Sequence, residues 1–163
     1  MMDKETFTSH IQDMETSLFH VAKSILYSDA DCEDAVQEAL IKAYKKRNSL
    51  REEAYFKTWM TRILINECYA FLRKRRQEIS YEEYMRKMEY EESVTDNSLN
   101  GALYEAVQKL DKKYKLPVVL HYIDGYSVNE VSKIMKIPAG TVKSRLAKAR
   151  ERLNFLMGSE EYI

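Results

Sequence analysis

Apolar side chains recur along the first part of the chain at steps of four and three: Phe7, Ile11, Met14, Leu18, Val21 and Ile25. That period lays one stripe along a helix of about six turns. Ser28-Asp29-Ala30-Asp31 interrupts it and supplies capping groups. Glu33 and Asp34 then fall in the first turn of a second helix, where the macrodipole favours acids. Its predicted buried stripe is Val36, Ala39, Leu40, Ala43 and Tyr44. After Arg47-Asn48-Ser49-Leu50 a long third helix is predicted over about 53–76, apolar almost all round its middle (Trp59, Met60, Ile63, Leu64, Ile65) and ending in Arg73-Lys74-Arg75-Arg76. Residues 1–78 thus read as a three-helix domain.

Residues 79–101 lose the period and carry 6 acidic against 2 basic groups, the composition of a flexible acidic linker. Helical pattern resumes at Leu103, Val107 and Leu110, breaks at Leu116-Pro117, continues to Tyr122 and turns at Asp124-Gly125-Tyr126. Ser127 and Glu130 have the spacing of a capping box, opening a short helix through Val131, Ile134 and Met135. Ile137-Pro138-Ala139-Gly140-Thr141 is a second break before a final helix to about Met157. Two helices joined by so short a turn make a helix-turn-helix over 102–163. The expected fold class is therefore all-α, two small helical domains joined by a linker.

Composition agrees: 4 Gly and 2 Pro in 163 residues suit a helical chain with few turns. The 26 basic and 26 acidic groups cancel, so no global field announces a partner, yet residues 102–163 hold 11 basic and 7 acidic groups. Cys32 and Cys68 lie far apart in sequence and read as reduced thiols of a cytoplasmic protein, with a single disulfide as the other option. The opening Met-Met-Asp-Lys-Glu does not read as a signal peptide, and no apolar run approaches the ~18 residues of a membrane span. His10, His20 and His121 are scattered, so neither a metal nor any other cofactor is expected.

The last helix carries the first candidate chemistry. On a helical wheel Val142, Leu146, Ala149, Leu153 and Leu156 fall in one arc, the expected buried face. Ser144, Ala147, Lys148 and Glu151 lie opposite, with Lys143 and Arg150 on one flank and Arg145 and Arg152 on the other. Short side chains near the N-terminus and basic ones beyond are what a helix seated in the major groove needs. An ordinary solvated face alternates Lys and Arg too, and it is the capped preceding helix that favours DNA. In the second helix, Asp34, Gln37, Glu38, Ile41 and Lys45 share the face opposite the stripe, suited to basic partner residues around an apolar centre. An ordinary solvated face fits the same residues.

Leu116-Pro117, Asp124-Gly125-Tyr126-Ser127, Glu130-Val131 and the run from Ile137 to Leu146 closely resemble the C-terminal domain of extracytoplasmic-function sigma factors. Asp31-Cys32-Glu33-Asp34-Ala35-Val36-Gln37-Glu38 resembles the acidic motif by which that family grips core RNA polymerase. Phe56 to Asn66 followed by Leu72 to Arg76 resembles its helix that recognises and opens the −10 element.

The resemblance implies a core-binding set of Asp31, Asp34, Gln37, Glu38 and Ile41. It implies a −10 set of Arg51, Tyr55, Phe56, Trp59, Arg62, Asn66, Arg73 and Arg76, with Arg51, Tyr55 and Phe56 on the loop where relatives hold a flipped base. It implies a −35 set of Thr141, Lys143, Ser144, Arg145, Lys148, Arg150 and Arg152. Position 70, four beyond the asparagine, is Ala70 where relatives commonly carry an acid, so −10 sequence preference does not transfer in detail. The linker either threads the polymerase channel or is a plain tether. Leu116, Val119, Leu120 and Ile123 either receive the tip of the polymerase flap or pack the domain. The implied partners are core polymerase, promoter DNA and a membrane-anchored anti-sigma factor. Two rivals remain: a stand-alone helix-turn-helix regulator, which needs no acidic motif, and an enzyme using Asp34 and Glu38, which lacks a ligand cluster or phosphate loop.

Overall fold

The computed structural model describes residues 2–26, 28–78, 83, 86 and 99–158; among these the regular structure is all helical, with no strand. The linker expected over 79–101 lies outside the described residues as far as 98, apart from Glu83 and Arg86. The chain divides into two compact units, 1–90 and 91–163.

The first unit is built from α1 (Lys4–Leu26), α2 (Asp29–Lys45) and α3 (Phe56–Glu78), with short 3-10 turns at Arg47–Ser49 and Glu53–Tyr55 between α2 and α3. The α1 stripe is buried as the period predicts, at Phe7, Met14, Leu18, Val21 and Ile25, with Ala22 and Leu26 beside it; Ile11 is only half-buried. Ser28 caps α2 by accepting the Asp31 N–H at 3.3 Å. The buried face of α2 is Cys32, Ala35, Ala39 and Ala43: Ala39 and Ala43 belong to the predicted stripe, and Cys32 and Ala35 replace its larger members. Small side chains let α2 lie close against α1 and α3, and the larger Val36, Leu40 and Tyr44 are displaced to the half-buried flanks. From α3 come Met60, Leu64, Cys68 and Leu72. Each large aliphatic side chain buried here stabilises the unit by about 1.5–3 kcal/mol. Phe7 meets Tyr44 and Phe56 edge-on, with ring centroids at 5.4 and 5.7 Å, closing the end of the bundle from which α3 starts.

The second unit comprises α4 (Leu99–Gln108), α5 (Lys112–Val118), a π-helical turn (Val119–Ile123), α6 (Val128–Met135) and α7 (Ala139–Met157). Here the structure moves the break predicted at Leu116-Pro117. The break falls between α4 and α5, and Pro117 sits inside α5 rather than ending it. Proline lacks the N–H that would reach the Lys113 carbonyl, and the helix widens straight after it. The Asp124 N–H reaches the Val119 carbonyl at 2.9 Å and closes the widened turn. Gly125 then takes φ +81, a left-handed conformation that a side chain would strain.

The capping box is present on both sides: Glu130 N–H to Ser127 Oγ at 3.1 Å, and Ser127 N–H to Glu130 Oε1 at 3.0 Å. Lys136 ends α6 in the left-handed region (φ 56, ψ 47), and Ser132 Oγ donates to the Ile137 carbonyl at 2.6 Å. That fixes the turn into α7, whose buried stripe is Val142, Leu146, Ala149 and Leu153. Leu156, expected on this stripe, is instead 43 % exposed.

Candidate functional site

Three surfaces carry the candidate residues. On α2, Asp34, Gln37, Glu38, Ile41 and Lys45 are all exposed, Ile41 at 48 %. A large apolar side chain so exposed within a carboxylate and amide surround is the composition of a protein-binding face. Beside Ile41, Lys42 donates to Glu67 Oε2 at 2.6 Å, tying α2 to α3; that hydrogen bond holds its ammonium above the ordinary lysine value. Between α1 and α2 runs an open groove of about 610 Å³ with Phe19, Val36 and Leu40 in its lining, edged by Glu15, Glu33 and Gln37. Val36 and Leu40, half-buried on the flank of α2, supply the apolar wall on that side.

Asp31 does not join this face. It is buried, and its Oδ1 accepts from Arg75 Nη2 at 3.0 Å. The family resemblance places it in the core-binding set, but α2 turns it inward towards the end of α3. Arg75 in turn lies 5.5 Å from the Phe71 ring centroid, so one member of the terminal basic run is engaged internally.

The second surface is one side of α3 with the loop before it. Trp59, Arg62, Asn66 and Arg73 recur at helical spacing; Asn66 and Arg73 are exposed, and Trp59 and Arg62 half-buried. Arg76 lies in the helix, but its side chain is outside the described residues. On the loop Arg51 is exposed and Tyr55 is 54 % exposed. Phe56, expected beside them as a stacking group, is 1 % exposed and enclosed by Phe7, His10 and Trp59. An apolar ring at the first position of α3 is worth more in the core than on the loop. The structure thus leaves Tyr55 as the loop's accessible aromatic ring.

The third surface is α7. Lys143, Ser144, Lys148 and Arg152 are exposed; Thr141, Arg145 and Arg150 are half-buried. Ser144 Oγ donates to the Thr141 carbonyl at 3.0 Å, leaving its lone pairs outward. Lys148 pairs with Glu151 at 3.6 Å, and Arg150 Nη1 donates to the Tyr122 hydroxyl at 2.6 Å. His121 Nδ1 donates to the Tyr126 carbonyl at 2.7 Å, and its ring meets Tyr122 edge-on, so the π-helical turn positions the tyrosine that orients Arg150. Of the apolar group in this region, Leu116, Val119 and Leu120 are buried in the unit and Ile123 is 48 % exposed. Nothing in the sequence marks Tyr122 as a partner of Arg150, since the two lie on elements distant in the chain.

The family models for sigma-70 region 2 and sigma-70 region 4 match residues 11–78 and 100–153. The Bacillus subtilis ECF RNA polymerase sigma factor SigW is 28% identical over 93% of this chain and 88% of its own length. The Escherichia coli ECF RNA polymerase sigma-E factor is 30% identical over 76% of this chain and 72% of its own. Among solved structures, the Bartonella quintana sigma factor RpoE, in complex with the anti-sigma factor NepR, superposes with a TM-score of 0.74 at 26% identity, over 93% of this chain and 96% of that one. The region 2 match spans the carboxylate face and the α3 surface, and the region 4 match spans the helix-turn-helix: the chain belongs to the extracytoplasmic-function group of the sigma-70 family.

Proposed function

We propose that this chain directs core RNA polymerase to promoters through the three surfaces above: α2 for the polymerase, α3 and its preceding loop for the −10 element, α7 for the −35 element. The observation that carries the reading is that one three-helix unit presents both an exposed carboxylate, amide and isoleucine face on α2 and an exposed tryptophan, arginine and asparagine side on α3. A regulator that bound DNA alone would need neither. Asp34, Gln37, Glu38 and Ile41 take the polymerase; Asp31 acts from behind, holding the end of α3. Arg51, Tyr55, Trp59, Arg62, Asn66 and Arg73 take the opened −10 strand, with Arg76 continuing the basic run. Thr141, Lys143, Ser144, Arg145, Lys148, Arg150 and Arg152 take the −35 duplex.

Sigma-70 factors are transcription initiation factors rather than enzymes. We accordingly read Asp34 and Glu38 as binding groups and assign no catalytic step and no cofactor. The protein works in the cytoplasm beside the polymerase; among the described residues no helix is long and apolar enough to cross a membrane. Likeness to the RpoE of the NepR complex supports an anti-sigma partner for this chain as well.

The test is co-elution with core polymerase, comparing the parent with Asp34→Arg/Glu38→Arg. Both side chains are exposed, so the variant keeps its far-UV circular dichroism while core affinity drops by about 2–5 kcal/mol. A folded variant that competes for core as well as the parent removes α2 from the interface, and a parent that never co-elutes removes the function.

A further inference from the structure

His10 stands on α1, forty-three residues before Glu53, and its Nε2 lies 2.6 Å from Glu53 Oε1. Its ring lies on Phe56, with centroids 4.6 Å apart and planes inclined by 20°. Glu53 opens the 3-10 turn Glu53–Tyr55, and Phe56 starts α3. One imidazole therefore grips both ends of the segment that carries Tyr55. A carboxylate can only accept a hydrogen bond, so Nε2 carries the proton in this contact. The stack on a buried ring fixes the imidazole plane and aims that N–H at the carboxylate before any ligand arrives.

Within the loop the bonds at Tyr55 are local: its N–H reaches the Glu52 carbonyl at 3.1 Å and its carbonyl accepts from Thr58 Oγ1 at 3.1 Å. Residues 51–55 are all exposed, and none of their side chains enters the core. The preceding turn is fixed by Arg47, whose Nε donates to the Met2 carbonyl at 3.0 Å and whose Nη1 donates to the Tyr44 carbonyl at 2.8 Å, with its guanidinium 4.0 Å from the Tyr44 ring centroid. Arg47 restrains the entry to the loop and His10 its exit. A loop ordered in advance loses less conformational entropy when it takes a ligand.

We propose that His10 is a positioning residue for promoter opening: by clasping Glu53 it holds Arg51 and Tyr55 in the arrangement that receives an unstacked base of the −10 strand. This rests on the assignment of the loop to the −10 element. His10 touches no DNA itself; it acts through Glu53 and Phe56.

The experiment uses holoenzyme assembled with core polymerase and, as probe, the single-stranded DNA that the parent holoenzyme selects from a random pool. Glu53→Ala and His10→Phe each weaken binding about three- to tenfold, and the double variant binds no worse than the weaker single, because both remove one contact. His10→Phe retains a ring over Phe56, so loss there reports the hydrogen bond rather than the stack. His10→Gln, which keeps an N–H donor, recovers part of the loss, as a purely structural role would not predict. Core affinity is unchanged throughout. Glu53 is 59 % exposed at its side chain, so Glu53→Ala folds even if substitution at His10 does not. Tyr55→Ala separates the two ideas. If it weakens probe binding while Glu53→Ala and His10→Phe do not, or if those two are additive, the clasp is refuted and the loop assignment stands. If Tyr55→Ala has no effect, the loop assignment itself falls.

Discussion

Asp31 and Arg75 meet at 3.0 Å with the aspartate side chain 9% and the arginine side chain 33% exposed, which is buried enough for the loss of one partner to strand the other. Breaking a fully buried pair costs about 3–5 kcal/mol, and the partial exposure of Arg75 reduces that to about 1–2 kcal/mol. Urea unfolding of Asp31→Ala, Arg75→Ala and the double variant should show losses of this size that do not add. An Asp31→Ala protein of unchanged stability with weakened core association would return Asp31 to the interface. The thiols behave as core atoms too. Cys32 and Cys68 are both 0% exposed, and burial first, then the neighbouring Cys32, pushes the Cys68 thiol far above its ordinary value of 9.0. Burial raises Tyr69 as well. A group whose folded pKa is raised contributes fully below its unfolded value and loses that contribution as pH rises towards the folded one. Stability should therefore hold up to about pH 9 and then fall by up to about 1.4 kcal/mol per pH unit on account of Cys68, with Tyr69 adding to the fall only above about pH 10. Urea midpoints between pH 7 and 10 read this directly, and a flat profile would contradict the burial of Cys68.

At the scale of elements, period and caps make the helices legible. The stripes of α1 and α7 and the capping box of α6 follow from sequence because each is set by neighbours three or four residues away. What escapes the pattern is set by contacts between elements. On α2 the sequence finds Ala39 and Ala43 but sets Val36 and Leu40 in place of Ala35, because hydropathy ranks them above it, whereas close helix packing selects the alanine. Asp31 and Phe56 enter the binding sets through the family resemblance, and nothing local reveals Arg75 or His10 opposite them. On α7 the geometry yields a sharper expectation. Lys148 projects from the middle of the exposed side, paired with Glu151 at 3.6 Å, whereas Arg152 stands one turn further on the flank. Lys148→Ala should cost about 1–3 kcal/mol and flatten discrimination at one or two −35 positions. Arg152→Ala should weaken all promoters alike and reduce the salt slope by about one unit. Transcription from a library of randomised −35 sequences distinguishes them, and exchanged phenotypes would mean that α7 enters the groove rotated by about a quarter turn, with Arg152 rather than Lys148 towards the bases.

For the whole molecule, the distribution of charge matters more than its sum. The 26 basic and 26 acidic groups cancel, yet residues 79–101 carry 6 acidic and 2 basic groups while 102–163 carry 11 basic and 7 acidic. A neutral chain gains little from the general attraction of DNA for cations, which supplies most non-specific binding. The α3 surface, moreover, is assigned to bases that are unstacked only once the duplex is opened. Promoter affinity should therefore depend on core polymerase. In a gel shift on duplex promoter DNA the chain alone should bind weakly, its affinity falling steeply with salt through the few phosphate contacts of α7; with core present, binding should be tight and should persist at salt concentrations that abolish binding by the free chain. Asp34→Arg/Glu38→Arg supplies the internal control: it should lose the core-dependent complex, while the weak, salt-sensitive binding of the free chain survives and rises somewhat, because two acids of a neutral chain have become bases. Tight, sequence-specific binding by the free chain, unaffected by core and by those two substitutions, would instead identify a regulator that reads DNA through α7 alone, with no use for the carboxylate face of α2.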